Sequence, residues 1–146
     1  MQLKSWLTAC SLGLLIACGA ATPEAAGEEK KEKKTFSIET SDTTVTAGAD
    51  GKVQITIVPA KGYKWNKDFP AMLTLQEGAE GVVALKGTQY KGTAFETKDK
   101  KTSVNAVVTG KKAGDQAVTG EVRFSVCNEE SCIIATEKVE AKVTVK

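Results

Sequence analysis

Cys127 and Cys132 stand five positions apart in Val126-Cys127-Asn128-Glu129-Glu130-Ser131-Cys132-Ile133, and their thiols define the chemistry open to the C-terminal part of the chain. Histidine is absent altogether. That excludes Ser-His-Asp and Cys-His catalysis, His-ligated zinc or copper, and a histidine pH switch. The C-x4-C spacing is neither a thioredoxin C-x-x-C nor a zinc site, which would need a second ligand pair. Two uses of the pair remain open. As a staple, a disulfide closing a loop of about six residues contributes roughly 2 kcal/mol in the chain-entropy model. As a redox pair, it cycles between dithiol and disulfide. Glu129 and Glu130, lying between the thiols, disfavour the thiolate by like-charge repulsion, and no Lys or Arg adjoins either cysteine in sequence to offset them. Such a pair attacks slowly until a specific partner docks. The acidic dipeptide itself reads as a solvated hairpin tip, since a calcium site needs more ligands.

The remaining cysteines, Cys10 and Cys18, belong to the N-terminus. Met1 to Lys4 carries one positive charge, and an apolar run from Trp6 to Ala17 follows. Its length fits the h-region of an export signal and falls short of the ~20 residues of a spanning helix. Leu15-Ile16-Ala17-Cys18-Gly19 resembles the lipobox of bacterial lipoproteins, with Cys18 as the lipidated residue. Leu7-Thr8-Ala9-Cys10 matches the same pattern but leaves almost no apolar run before it; an ordinary secretory signal is the plainer alternative. Cleavage before Cys18 would discard Cys10, and several acyl chains at ~0.8 kcal/mol per buried methylene would make anchoring to a membrane permanent. The export context favours oxidation of Cys127 and Cys132. It places the protein in the cell envelope, facing the periplasm. Gly19 after the lipid cysteine, rather than Asp, favours the outer over the inner membrane by analogy with enteric lipoproteins.

From Gly19 to Lys34 the chain reads as a tether. Glu24 to Lys34 holds four Glu and four Lys with no aromatic or β-branched residue, too little apolar surface to order itself. A short helix with Glu/Lys pairs is the alternative. As a coil the tether would average about 22 Å end to end.

The elements that must position the cysteine pair begin at Thr35, where the pattern turns to period two. Val118, Gly120, Val122, Phe124 and Val126 alternate with Thr119, Glu121, Arg123 and Ser125; Val139 to Val145 and Val53 to Ile57 alternate likewise. Each predicts a strand with one buried and one wet face. Weaker strands are expected around Phe36–Thr40, Ala71–Gln76, Val82–Lys86 and Thr102–Thr109. Turns are expected at Ala49–Gly51, Gln76–Gly78, Lys98–Lys101 and Gly110–Asp115. The expectation is an all-β fold, an immunoglobulin-like antiparallel β-sandwich of about seven or eight strands, with a closed barrel as second choice. The organisation is therefore a lipoprotein signal (1–17), a lipidated cysteine and charged tether (18–34), and a sandwich domain (35–146). In 146 residues the net charge is only +2, which provides no field for nucleic-acid binding. Neither a phosphate loop nor a metal cluster is present in the sequence, so no cofactor and no metal are expected.

Phe124-Ser125-Val126-Cys127-Asn128-Glu129-Glu130-Ser131-Cys132 resembles the cysteine segment of the N-terminal periplasmic domain of the thiol:disulfide interchange reductase DsbD. Lys61-Gly62-Tyr63-Lys64-Trp65-Asn66-Lys67-Asp68-Phe69-Pro70 is similar to that family's glycine and aromatic segment leading into a strand. The likeness extends over roughly Thr35 to Lys146. It implies an immunoglobulin-like domain whose cysteine pair, here Cys127 and Cys132, takes electrons from a membrane partner and passes them to periplasmic thiol proteins. A stand-alone lipoprotein of this kind would exchange with a membrane or thioredoxin-like redox protein in trans. The rival expectation is a non-enzymatic envelope module in which Cys127–Cys132 is only a staple. Tyr63 and Trp65, at i and i+2, share one face of a strand. With Phe69 they either fill one end of the sandwich or shield the cysteine pair and dock its partner.

Overall fold

The computed structural model describes residues 34–146. The signal at 1–17, Cys18 and the tether up to residue 33 lie outside the described residues. Eleven strand segments follow one another: β1 (Phe36–Thr40), β2 (Thr43–Val45), β3 (Asp50–Pro59), β4 (Lys64–Trp65), β5 (Met72–Gln76) and β6 (Val83–Leu85). After them come β7 (Gln89–Lys91), β8 (Phe95–Lys98), β9 (Lys101–Gly110), β10 (Gly114–Cys127) and β11 (Cys132–Val145).

The strands form the two sheets of an immunoglobulin-like sandwich. One sheet runs β1-β3-β9-β6, with β8 also on β9; the other runs β2-β11-β10-β5-β7, with β4 also on β10. The ladders are antiparallel except for β2 against the end of β11, which is parallel. The period-two segments build the interior. Val53, Ile55 and Ile57 of β3 and Val104, Ala106 and Val108 of β9 face Val118, Val122, Phe124 and Val126 of β10 across the core. Burying each such Val, Ile or Phe contributes about 1.5–3 kcal/mol. Gly120 occupies a core-facing position of β10 where a Cβ would lie 2.3 Å from the Thr74 carbonyl oxygen, so the close approach of β5 needs glycine there.

The count of strands exceeds the seven or eight expected because both edges are broken into pieces. β4 and β5 lie along the same side of β10, as β6 and β8 lie along the same side of β9. Between β6 and β8 the chain crosses to the other sheet as β7, pairing with β5, before returning. The Tyr90 hydroxyl of β7 accepts the Val107 N–H at 3.2 Å, filling a place in the ladder where the edge strand has left. The expected turn at 49–51 lies two residues earlier, at Ala47–Gly48, because Asp50 and Gly51 pair with Thr109 and Val108.

Candidate functional site: the closed end of the β10–β11 hairpin

β10 and β11 pair without interruption from Gly114↔Val145 to Cys127↔Cys132. The cysteines are therefore the last directly opposed pair before the turn, with Cα atoms 4.0 Å apart and their sulfurs bonded. The disulfide staples the two longest strands of the sandwich. Sequence spacing alone left the loop conformation open; the structure shows Asn128 to be its organiser. Its Oδ1 accepts the backbone N–H of Glu130 at 2.9 Å and of Ser131 at 2.7 Å, while its own N–H donates to the Ser131 carbonyl at 2.9 Å. Asn side chains mimic a backbone turn in this way. Glu129 and Glu130 are left exposed at the tip.

Alternation fixes what shares a face with the disulfide. Val126 points into the core, so Cys127, Ser125 and Arg123 lie on the outer face of the sheet. Cys132 is exposed, whereas Cys127 is half-buried. On the side of β10 away from Cys132, the residue directly opposite Cys127 is Lys64 of β4. The short β4 thus places a lysine directly opposite the half-buried cysteine, although sequence adjacency offered only the two glutamates. Alternation around Tyr63 and Trp65 signals that Lys64 faces outward. Its pairing with β10 depends on tertiary contacts far away in the chain, which no local pattern announces.

The edge strand then breaks. Trp65 pairs with Val126, but Met72 pairs with Arg123, so Asn66 to Ala71 stand opposite only Phe124 and Ser125. The surplus leaves the sheet as a turn in which Asn66 Oδ1 accepts the Asp68 N–H at 3.1 Å. The Asn66 N–H remains on the ladder, donating to the Ser125 carbonyl at 3.0 Å. Phe69 comes to rest under the Arg123 guanidinium, 5.5 Å from its ring centroid. Of the three aromatic residues singled out from sequence, Phe69 is accordingly the one placed on the outer face. Tyr63 and Trp65 pack against the core. Trp65 stacks on Phe124 at 5.7 Å and on Phe95 at 5.5 Å, with interplanar angles of 12° and 27°. It stands on the face opposite the disulfide.

Ser125 is the residue whose character sequence reasoning missed. Only 1% of it is exposed, and its hydroxyl has no hydrogen-bond partner among the described residues. The other buried hydroxyl, Thr102, is paired with Thr97 at 2.9 Å. Ser125 is flanked by Cys127 on its own strand and by Ile134 on β11, whose side of the ladder leaves Ile134 57% exposed.

Among the described residues, two carboxylates titrate below their ordinary range, both at the far end of the sandwich. Asp115 is held down first by the Thr144 hydroxyl, at 2.6 Å, and then by Lys142, at 3.0 Å. Asp50 is held down by Lys86 and by the Thr109 hydroxyl at 2.7 Å. Neither lies near the cysteines. An open cleft of about 290 Å³ is lined by Trp65, Lys67, Gly92, Phe95 and Thr97. The Trp65 ring there already stacks with Phe95 and Phe124. Among the described residues, no three His, Cys, Asp or Glu side chains cluster to hold a metal ion, and no helix is long and apolar enough to cross a membrane.

No known protein family's pattern and no curated protein matches the chain. Among solved structures the sandwich is similar to domains 4 and 5 of the S-layer protein SbsC, with a TM-score of 0.39 and 12% identity over 77% of this chain and 44% of that one. It is also similar to AggA, the major subunit of aggregative adherence fimbriae type I from Escherichia coli (TM-score 0.36, 10% identity, 76% and 94% covered). A third likeness is to the titin M10–obscurin-like 1 Ig complex (TM-score 0.30, 14% identity, 76% and 93% covered). These are likenesses of fold alone, and the chain is an all-β, immunoglobulin-like sandwich closed at one hairpin end by a disulfide.

Proposed function

We propose that the Cys127–Cys132 pair carries out thiol–disulfide exchange with a protein partner, in an envelope lipoprotein anchored through Cys18 to a membrane, with the outer membrane favoured. The observation that carries this reading is the asymmetry of the disulfide. One cysteine is exposed at the end of the sheet, and the other is half-buried with Lys64 directly opposite it on β4. Exchange depends on which sulfur can be reached and which leaves best as thiolate. Access selects Cys132 for attack, and Lys64 favours departure from Cys127. A need for stability does not account for the bond well. It closes the shortest of loops at a hairpin whose ladder and Asn128 turn already fix the register, and a domain of this size supports its own core.

Lys64 and Phe69, both from the Lys61–Pro70 segment, lie on the same outer face of the sheet as the Cys127–Cys132 pair, which supports the resemblance to the DsbD N-terminal domain. In this reading Phe69, parked on Arg123, is the docking and shielding residue. Tyr63 and Trp65 hold the segment in place from the core side. The partner is a membrane or thioredoxin-like redox protein acting in trans.

The test is made in the exporting cell. Cys127→Ser in the full chain leaves the exposed Cys132 without its resolving partner, and it is expected to accumulate as a mixed disulfide with a thioredoxin-like protein. If replacement of both cysteines by Ala leaves the redox state of every envelope thiol protein unaltered, the exchange function is wrong and the bond is a staple in a binding or structural module.

A further inference from the structure

Ser125 and Lys64 both neighbour Cys127 on the outer face of the sheet, one along the strand and one across it. Ser125 is two residues away on β10, and no bulge separates them, because Ser125↔Ile134 and Cys127↔Cys132 belong to one unbroken register. Lys64 is directly across the β4–β10 ladder. Directly opposed residues have Cβ atoms about 4.5–5.5 Å apart, well within the reach of a lysine side chain. A buried hydroxyl without a partner costs roughly 1–3 kcal/mol. Alanine would occupy the same space without that cost, so the oxidised state gives no reason for a serine here. A reason appears when the disulfide opens. The sulfur released at Cys127 carries a full negative charge in a half-buried place, and needs a donor and a counter-charge.

We infer that Ser125 and Lys64 together form the receiving site for the Cys127 thiolate, the hydroxyl as hydrogen-bond donor and the ammonium as counter-ion. This rests on the exchange reading above. In the step concerned, the thiolate of a partner dithiol attacks the Cys132 sulfur and a partner–Cys132 S–S bond forms. The Cys127–Cys132 bond breaks and its electron pair leaves on the Cys127 sulfur. The partner's second thiolate then attacks the partner's own sulfur of the mixed disulfide and releases Cys132 as thiolate. The partner is oxidised to its disulfide, and the pair here is reduced by two electrons. The charged groups around Cys127 are Lys64 on β4, Glu129 and Glu130 at the tip of the hairpin, and Arg123 four residues back on the same face, already engaged with Phe69. The glutamates oppose the thiolate; they are exposed and solvated, whereas Lys64 faces it across the ladder. Ser125 is a buried donor two residues from it on the same face of β10.

The test reads the apparent pKa of Cys127 in the full chain carrying Cys132→Ala, from the pH dependence of iodoacetamide alkylation of the Cys127 peptide by mass spectrometry. Ser125→Ala and Lys64→Gln are each expected to raise that pKa by about one unit, leaving about one-tenth of the thiolate at neutral pH. Lys64→Arg, which keeps the cation, is expected to retain the parent value. Lys64 is exposed, and Ser125→Ala removes only an unpartnered hydroxyl, so both variants keep the fold; a thermal melt confirms this for each. A pKa unmoved in either Ser125→Ala or Lys64→Gln overturns the joint site. The outcome is independent of the cellular experiment above. Shifted pKa values with unaltered envelope thiol proteins would uphold this site while sinking the exchange function.

Discussion

Lys64 and Cys127 are direct neighbours across the β4–β10 ladder, although a long stretch of chain separates them. A two-residue strand accomplishes this. β4 is held on one side by its pairing with Val126 and Cys127, and on the core side by Trp65, which stacks with Phe124 and with Phe95. The position of the cation thus depends on the burial of the next residue in the chain. Removing Trp65 as Trp65→Ala should cost about 3 kcal/mol, as large aromatic truncations do. It should also loosen β4 and raise the Cys127 pKa in the Cys132→Ala background. A urea titration and the alkylation profile together check this. A loss of stability with an unchanged pKa would show that Lys64 does not need the strand to reach the sulfur.

The disulfide should contribute little to stability. Replacing both Cys127 and Cys132 by Ala is expected to lower the unfolding free energy by about 2 kcal/mol, the small-loop end of the range. The urea midpoint of the oxidised protein against the double variant measures it. A loss of about 5 kcal/mol would instead mark the bond as a structural necessity of the hairpin.

Ser125→Ala should stabilise the oxidised protein. Its hydroxyl is buried without a partner among the described residues, so removing it recovers desolvation free energy on the order of 1 kcal/mol. The same substitution is expected to weaken the reduced pair's Cys127 thiolate. Stability gained where function is lost is a common trade at working sites. Thermal melts of the variant and the parent under oxidising conditions decide the first half.

The turn between β8 and β9 carries a different strain. Asp99 and Lys100 both have positive φ, 49° and 66°, as a type I′ hairpin turn requires. Lysine meets a steric penalty in that conformation that glycine does not. Lys100→Gly is expected to raise stability by about 0.5–1 kcal/mol, measured by urea unfolding, with no effect on the cysteines at the other hairpin.

Acid should loosen the opposite end of the sandwich. Asp115 and Asp50 have folded pKa values depressed below their unfolded ones. Their contribution is therefore present above the unfolded value of about 3.9 and is lost as pH falls through the depressed folded values. Both are solvent-exposed, so the effect is small. The Asp50→Asn/Asp115→Asn double variant should lose less stability between neutral pH and about pH 2 than the parent, in urea midpoints followed against pH.

The long strands were legible because their alternation is uninterrupted. Val118 to Val126 and Val53 to Ile57 read as half-buried strands and occupy the core as such. The Cys127–Cys132 pairing was legible from hairpin spacing, between two strongly alternating strands. β4 and β7 were not, because two or three residues are too few for a period. Nor does local sequence reveal which edge they join. The six residues from Asn66 to Ala71 opposite two on β10 are a register event, visible only when both strands are placed. Ser125 shows the same limit from the other side. In an alternating strand it reads as an outward, wet position. It is buried nonetheless, and that its hydroxyl finds no partner among the described residues is visible only in the assembled fold.

The measurement that bears most directly on the exchange function is the reduction potential of the Cys127–Cys132 pair, read by quantitative thiol trapping in defined redox buffers. A working pair must lie within reach of envelope dithiols, and the account predicts a potential above about −300 mV. A potential below about −300 mV would mark an inert structural bond and contradict it.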